Sequence, residues 1–257
     1  MWKVIRISVL LLVLAVVLTS TYLDRVRTTS WKETLWVGIF PMSADGSEAA
    51  DRYIASLTTE DFASVEAFFA SEATRYGVTV QRPIRIELYP SPKEKPPTLA
   101  PGANVLATAW WSLKIRWFAH RAADVPGRAP SHIRVFVLYH DPAVTERVPH
   151  SLGLQKGLIG VVHAFADPQM RGQNNIVIAH ETLHTVGATD KYDLESGEPL
   201  FPDGYAEPDR NPRYPQDKAE IMAGQRALTP SEHEMPNGLR DVLVGAATAR
   251  EIGWTRR

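Results

Sequence analysis

The chain has 257 residues, with 28 Lys and Arg against 29 Asp and Glu, a formal net charge of −1 and no cysteine. That balance leaves no basic footprint, and there is no sustained Lys or Arg run, so neither nucleic acid nor another polyanionic partner is expected. Without cysteine there is no disulfide, no lipid-modified thiol and no thiolate metal site; the fold relies on its core, for which 44% hydrophobic and 22% charged residues are globular proportions.

In chain order, the first feature is an uncharged apolar stretch at 7–23 (ISVLLLVLAVVLTSTYL), whose residues reach roughly 25 Å as a helix. Trp2 and Tyr22 sit at its ends as interfacial aromatic residues do, and Lys3 and Arg6 favour an N-terminus inside. Residues 1–30 therefore read as a single-pass transmembrane anchor that leaves the rest of the chain outside the cytoplasm. A cleavable signal, giving a secreted protein, shares the pattern; the anchor is preferred because only Thr19-Ser20-Thr21, and no Ala-x-Ala-like site, follows the apolar run. Residues 31–257 then form one domain.

Residues 35–40 read as a strand, 59–76 as a helix ending at Gly77, and 84–89 as a strand of alternating polarity. Pro90, Pro92, Pro96, Pro97 and Pro101 mark an extended surface loop. Residues 103–123 form a second long helix whose Trp110, Trp111, Trp117 and Phe118 are expected in the core. Apolar strands follow at 133–139 and 158–165, joined by a loop with Pro149 and Gly153. This order, closed by a helix around residue 180, predicts an α+β fold.

That last helix carries HETLHTVGATD, His180 to Asp190. Residues four apart share a helix face, so His180 and His184 can aim imidazole nitrogens at one ion about 2 Å away. Glu181, roughly 100° round the helix, is placed to act as a general base on a water rather than as a ligand. A catalytic zinc takes three protein ligands, and Asp190 is the best third donor, since Gly187 can end the helix in a left-handed conformation and turn the chain back. Asn174 or Asn175 could cap the start, and Ile176, Ala179, Leu183 and Val186 form the packing stripe. Asp193, near the same turn, competes with Asp190. With 8 His and 16 Glu in 257 residues, HExxH is expected by chance far less than once. The other histidines lack such spacing; His163, in an apolar run before the helix, is the one of interest.

HETLHTVGATD resembles the extended zinc signature of metzincin-type metallopeptidases, with Asp190 as third ligand resembling the snapalysin-like bacterial zinc proteases. The resemblance implies a zincin-like α+β mixed sheet with a zinc-binding active-site helix and a small C-terminal subdomain. It also implies a methionine turn, matched here by Met222 in Glu220-Ile221-Met222-Ala223-Gly224. The tyrosine found in some relatives two residues past that methionine is replaced by Gly224; Tyr192 is the substitute candidate. In the resembling enzymes the strand before the zinc helix lies at the sheet edge and pairs with extended substrate, which points to 158–165.

Residues 198–218, with Asp203, Asp209, Asn211 and Asp217, lack EF-hand spacing and read as a solvated loop; 239–252 reads as a helix closing the lower half before Trp254. The expected function is a zinc (Zn2+) endopeptidase acting on a peptide or protein substrate. The alternatives are a non-catalytic zinc-site or binding module and a zinc hydrolase of non-peptide amides.

Overall fold

The apolar runs of the chain become strands covered on both faces. β1 (Leu35–Ser43) and β3 (Ile133–His140) are buried along nearly their whole length, as central parallel strands are. With β2 (Ile84–Leu88), β4 (Leu152–Leu154) and β5 (Ile159–Phe165) they form one sheet of order β2-β1-β3-β5-β4. The β1–β2, β1–β3 and β3–β5 pairs are parallel and β4–β5 is antiparallel, so the sheet is mixed. The computed structural model describes residues 2–3, 5–8, 11–12, 19, 26, 28–100 and 102–255.

Beyond residue 30 the helices are α1 (Glu48–Ser56), α2 (Ala63–Arg75), α3 (Val105–Ala123), α4 (Arg171–Thr185) and α5 (Ala246–Glu251). Because side chains alternate along a strand, the sheet builds two cores. Val37, Val135, Val137 and Val162 face one side, where they meet Phe69 of α2 and Leu183 of α4. Phe40, Phe136, Leu138 and Val161 face the other, where α3 supplies Trp111, Ile115 and Phe118. The fold is thus α+β with a mixed sheet.

Several local expectations are revised. The segment 59–76 is split into a 3-10 turn (Thr59–Phe62) and α2, with Asp61 Oδ2 accepting from Thr58 N at 2.8 Å, and α1, capped by Ser47, was not read from the sequence. The strand at 158–165 is not the sheet edge: β4, from the Gly153 loop, pairs outside it through Leu152↔Val161 and Leu154↔Ile159. Residues 239–252 are not one helix, because Val242–Leu243 (β9) pairs with Ala219–Glu220 (β6) and α5 starts only after Gly245. Strands β7 (Arg226–Ala227) and β8 (His233–Glu234) form a small antiparallel pair. Of the four aromatics of α3 expected inside, Trp111 and Phe118 are buried, whereas Trp110 and Trp117 are 61% and 65% exposed. The C-terminal segment closes under α4 and joins the first core through Ile221, Met222, Val242, Ile252 and Trp254.

The N-terminal transmembrane helix must be withdrawn. Among the described residues no helix is long and apolar enough to cross a membrane. α3 has 19 residues, yet it carries Lys114, Arg116 and Arg121. Much of 7–23 lies outside the described residues. The single-pass anchor, and the location outside the cytoplasm that rested on it, therefore fall together.

Candidate metal centre

α4 begins three residues before the expected cap. Asp167 Oδ1 accepts from Gln169 N at 2.8 Å in a 3-10 turn that runs into Arg171. Asn174 and Asn175 lie buried inside the helix instead and anchor it: Asn174 exchanges hydrogen bonds with both backbone groups of Phe165, and Asn175 Nδ2 donates to Asp61 O at 2.8 Å and Ser64 Oγ at 2.9 Å. These contacts fix α4 against the end of β5 and the start of α2, which sets the height of the histidines.

His180 and His184 sit one turn apart with ring centroids 4.7 Å from each other. Nδ1 of His180 lies 2.9 Å from Ile221 O, and Nδ1 of His184 lies 2.8 Å from Ala188 O. A carbonyl can only accept, so each ring donates from Nδ1, which leaves Nε2 as the nitrogen that points away from the backbone and can offer a lone pair to a metal. Both Nε2 atoms converge on Asp190 Oδ1, at 3.2 Å and 3.1 Å. Such a cluster is balanced either by imidazole protons donated to the carboxylate or by a cation held among the three atoms. Those separations are close to the edge of a tetrahedron with ligand bonds of about 2.0–2.1 Å, roughly 3.3 Å. The His180, His184 and Asp190 group could hold a metal ion.

The charges respond to this convergence. Burial works against protonation of His180, but Asp190, the Glu181 charge and the Ile221 carbonyl together raise its pKa. Burial would raise Asp190, but the two imidazoles hold its carboxyl well below the usual carboxylate range. Burial raises Glu181, only partly opposed by the two histidines. Glu181 is 5% exposed, and its buried Oε2 has no hydrogen-bond partner. A buried carboxylate oxygen without a donor is costly unless a water or ligand serves it.

The turn after α4 delivers Asp190. Gly187 has φ +111°, its N donates to His184 O at 3.1 Å, and a Cβ there would meet Gln155 Nε2 at 2.7 Å. The loop is clamped by a group that the sequence reading missed. Lys191, 6% exposed, donates from Nζ to Thr189 O and Oγ1 and to both oxygens of Glu251, which itself accepts from Thr189 N and Oγ1. Lys191 N also donates to Met222 O at 3.0 Å.

Met222 is fully buried in a turn under α4, and the preceding carbonyl, Ile221 O, orients His180. That turn hangs on Glu220, a buried carboxylate accepting from Met222 N, Ala223 N, Gly245 N and Thr248 Oγ1. Tyr192 is half-buried, and burial followed by the Asp190 and Glu181 charges raises its phenol. Asp193 does not join the site: its Oδ1 accepts from Glu195 N and Ser196 N in a solvent-facing turn. His163 is also elsewhere, paired at 2.9 Å with His140. Gly153 of β4 was missed as well; a methyl there would overlap His184 Cβ and approach Glu181 O at 2.6 Å, so only glycine lets the edge strand lie on the histidine helix. No family model matches the chain, and no curated protein matches it.

Proposed function

We propose that the chain is a zinc-dependent hydrolase that cleaves peptide bonds. The observation that carries this reading is the convergence of His180 Nε2, His184 Nε2 and Asp190 Oδ1 beside the unpartnered buried Oε2 of Glu181. Two imidazoles and one carboxylate at tetrahedral-edge spacing suit zinc with one position left open. The resemblance of HETLHTVGATD to metzincin signatures supports peptides as the substrate class.

Zinc bound there would supply Lewis acidity, lowering the pKa of a coordinated water to about 7. Glu181 takes the proton from the attacking water and returns it to the leaving amine; its raised pKa brings it closer to neutrality, as a group that both accepts and donates requires. The carbonyls of Ile221 and Ala188 fix the two imidazoles through their Nδ1 protons, holding ring orientation and tautomer. The Tyr192 phenol, its pKa raised by burial and by the Asp190 and Glu181 charges, keeps its proton and supports Asp190 from beside the three donors. β4 pairs with β5 on one side only, so its outer backbone groups, alongside α4, can align an extended peptide.

The test is metal content and chelator-sensitive cleavage of a peptide library by the purified chain, compared with Glu181→Gln. The reading expects one zinc in both proteins and cleavage falling by roughly 10²–10⁴ in the variant. Zinc without cleavage in the unaltered chain assigns a binding function instead. Cleavage of non-peptide amides alone reassigns the substrate.

A further inference from the structure

α3 is apolar on two opposite sides. At 100° per residue, Trp111, Ile115, Phe118 and Ala119 cluster on the side that covers the sheet, and all four are buried. Leu106, Trp110, Leu113 and Trp117 fall within about 60° of one another on the opposite side. These four are 81%, 61%, 57% and 65% exposed. The stripe follows i, i+4, i+7, i+11 spacing, the pattern of a helix face that buries itself against something. An outward stripe with two tryptophans goes beyond the singly scattered apolar residues normal on a surface.

The flanks identify the occupant. Lys114 and Arg121 border the stripe on one side, while Arg116 and His120 border it on the other; the helix contains no Asp or Glu. Lys114 Nζ lies 5.7 Å from the Trp110 ring centroid. Beside the helix, the cleft it shares with the proline-rich loop adds Lys93 and Lys95 against Glu94 and Asp124. A chain of net charge −1 therefore places Lys114, Arg116, Arg121 and His120 around an exposed apolar helix face. Apolar and tryptophan side chains between Lys and Arg are what a helix lying in the plane of an anionic bilayer surface presents: the rings enter the headgroup boundary and the cations meet lipid phosphates. An acidic protein groove would satisfy the charges too, but the cleft against the proline-rich loop takes in only Trp117 of the four stripe residues, and Leu106, Trp110 and Leu113 remain an open face that suits a bilayer surface better than a grooved partner.

We propose that the exposed face of α3 docks the protein peripherally on anionic lipid membranes. This is adsorption to a surface and involves no membrane-spanning segment. The face lies on the opposite side of the sheet from α4, so docking leaves the metal centre open to solvent.

Because the chain has no cysteine, Leu113→Cys can carry a single environment-sensitive fluorophore in the full chain, with Asp51→Cys on α1 as the remote control. The expected result is a blue shift of the Leu113→Cys label, and none at Asp51→Cys, on vesicles of phosphatidylcholine with 30% phosphatidylglycerol. Adding Lys114→Glu and Arg121→Glu should weaken partitioning by roughly thirtyfold or more, at about 1 kcal/mol per basic residue. Trp110→Ser with Trp117→Ser should weaken it without changing metal content. The proposal is overturned by no shift on anionic vesicles, or by an equal shift on pure phosphatidylcholine that ignores the charge reversals. It is also overturned by a label already shielded without lipid, either in the monomer, where the chain itself covers the face, or in a concentration-dependent dimer seen by sedimentation.

Discussion

Replacing Lys191 with methionine keeps most of the apolar stem but removes the terminal ammonium that ties the Asp190 loop to α5. In the folded protein this ammonium, 8% exposed at its side chain, faces Thr189 O at 2.8 Å, Thr189 Oγ1 at 2.7 Å and both Glu251 oxygens at 2.9 Å. Breaking a buried charge pair costs about 3–5 kcal/mol. Glu251 is 30% exposed and still accepts from Thr189 N and Oγ1, so it can recover part of its solvation, and the lower end applies. About 3 kcal/mol in a domain of this size lowers Tm by roughly 6–12 °C. The same change frees the peptide adjoining Asp190, and losing support behind a metal ligand weakens binding about 10- to 100-fold. Urea unfolding in chelator would measure the first effect, and competition for zinc against a fluorescent chelator would measure the second. A variant that loses stability yet binds zinc with undiminished affinity would refute the claim that Lys191 positions Asp190.

Further outcomes follow from the same geometry. Zinc at a thousand times its dissociation constant should stabilise the chain by about 4 kcal/mol, and chelation should reverse this in calorimetry; His184→Ala should abolish the response, whereas an unchanged Tm with and without zinc would show that the three donors hold no ion. Gly153→Ala forces a methyl toward His184 Cβ and the Glu181 carbonyl, so it should cost about 1–3 kcal/mol and depress cleavage more than it depresses stability, as read by denaturation and kcat/KM side by side. Burial pushes the His163 imidazole down to about 4, helped by His140. The unfolded chain, with the ordinary value of 6.5, takes up that proton first, so this stabilisation is complete above pH 6.5 and drains away as pH falls toward 4. His163→Gln should flatten the acid limb of a urea-midpoint profile taken in chelator, and an unaltered limb would place the acid sensitivity elsewhere.

The parts of the site that were legible in the sequence are those set by helix periodicity. His180, Glu181 and His184 keep their relation wherever α4 docks, because four residues make about one turn. Gly187 was legible for a related reason: reversing a chain right after a helix calls for a left-handed residue. Asp190 was preferred over Asp193 from the sequence, but with only Lys191 and Tyr192 between them the choice needed geometry: the clamp of Lys191 to Glu251, sixty residues away, holds the loop with Asp190 facing the imidazoles, while Asp193 turns to solvent. β4 was missed because a three-residue strand, Leu152–Leu154, has no readable alternation, so the edge was assigned to β5. The apolar stretch at 7–23 matched the composition of a membrane span, but the described residues include no helix long and apolar enough to be one.

Local spacing by itself determined the α+β character, two of the three side chains that could hold a metal ion and the candidate base, because those features depend on neighbours within one or two turns. Tertiary structure alone decided which carboxylate completes the triad, which carbonyls orient the imidazoles, and that α3 turns Trp111 inward and Trp110 outward. Helical spacing puts those two tryptophans about 100° apart but cannot say which faces the sheet; that follows from the apolar surface offered by Phe40, Phe136 and Leu138, strands distant in sequence.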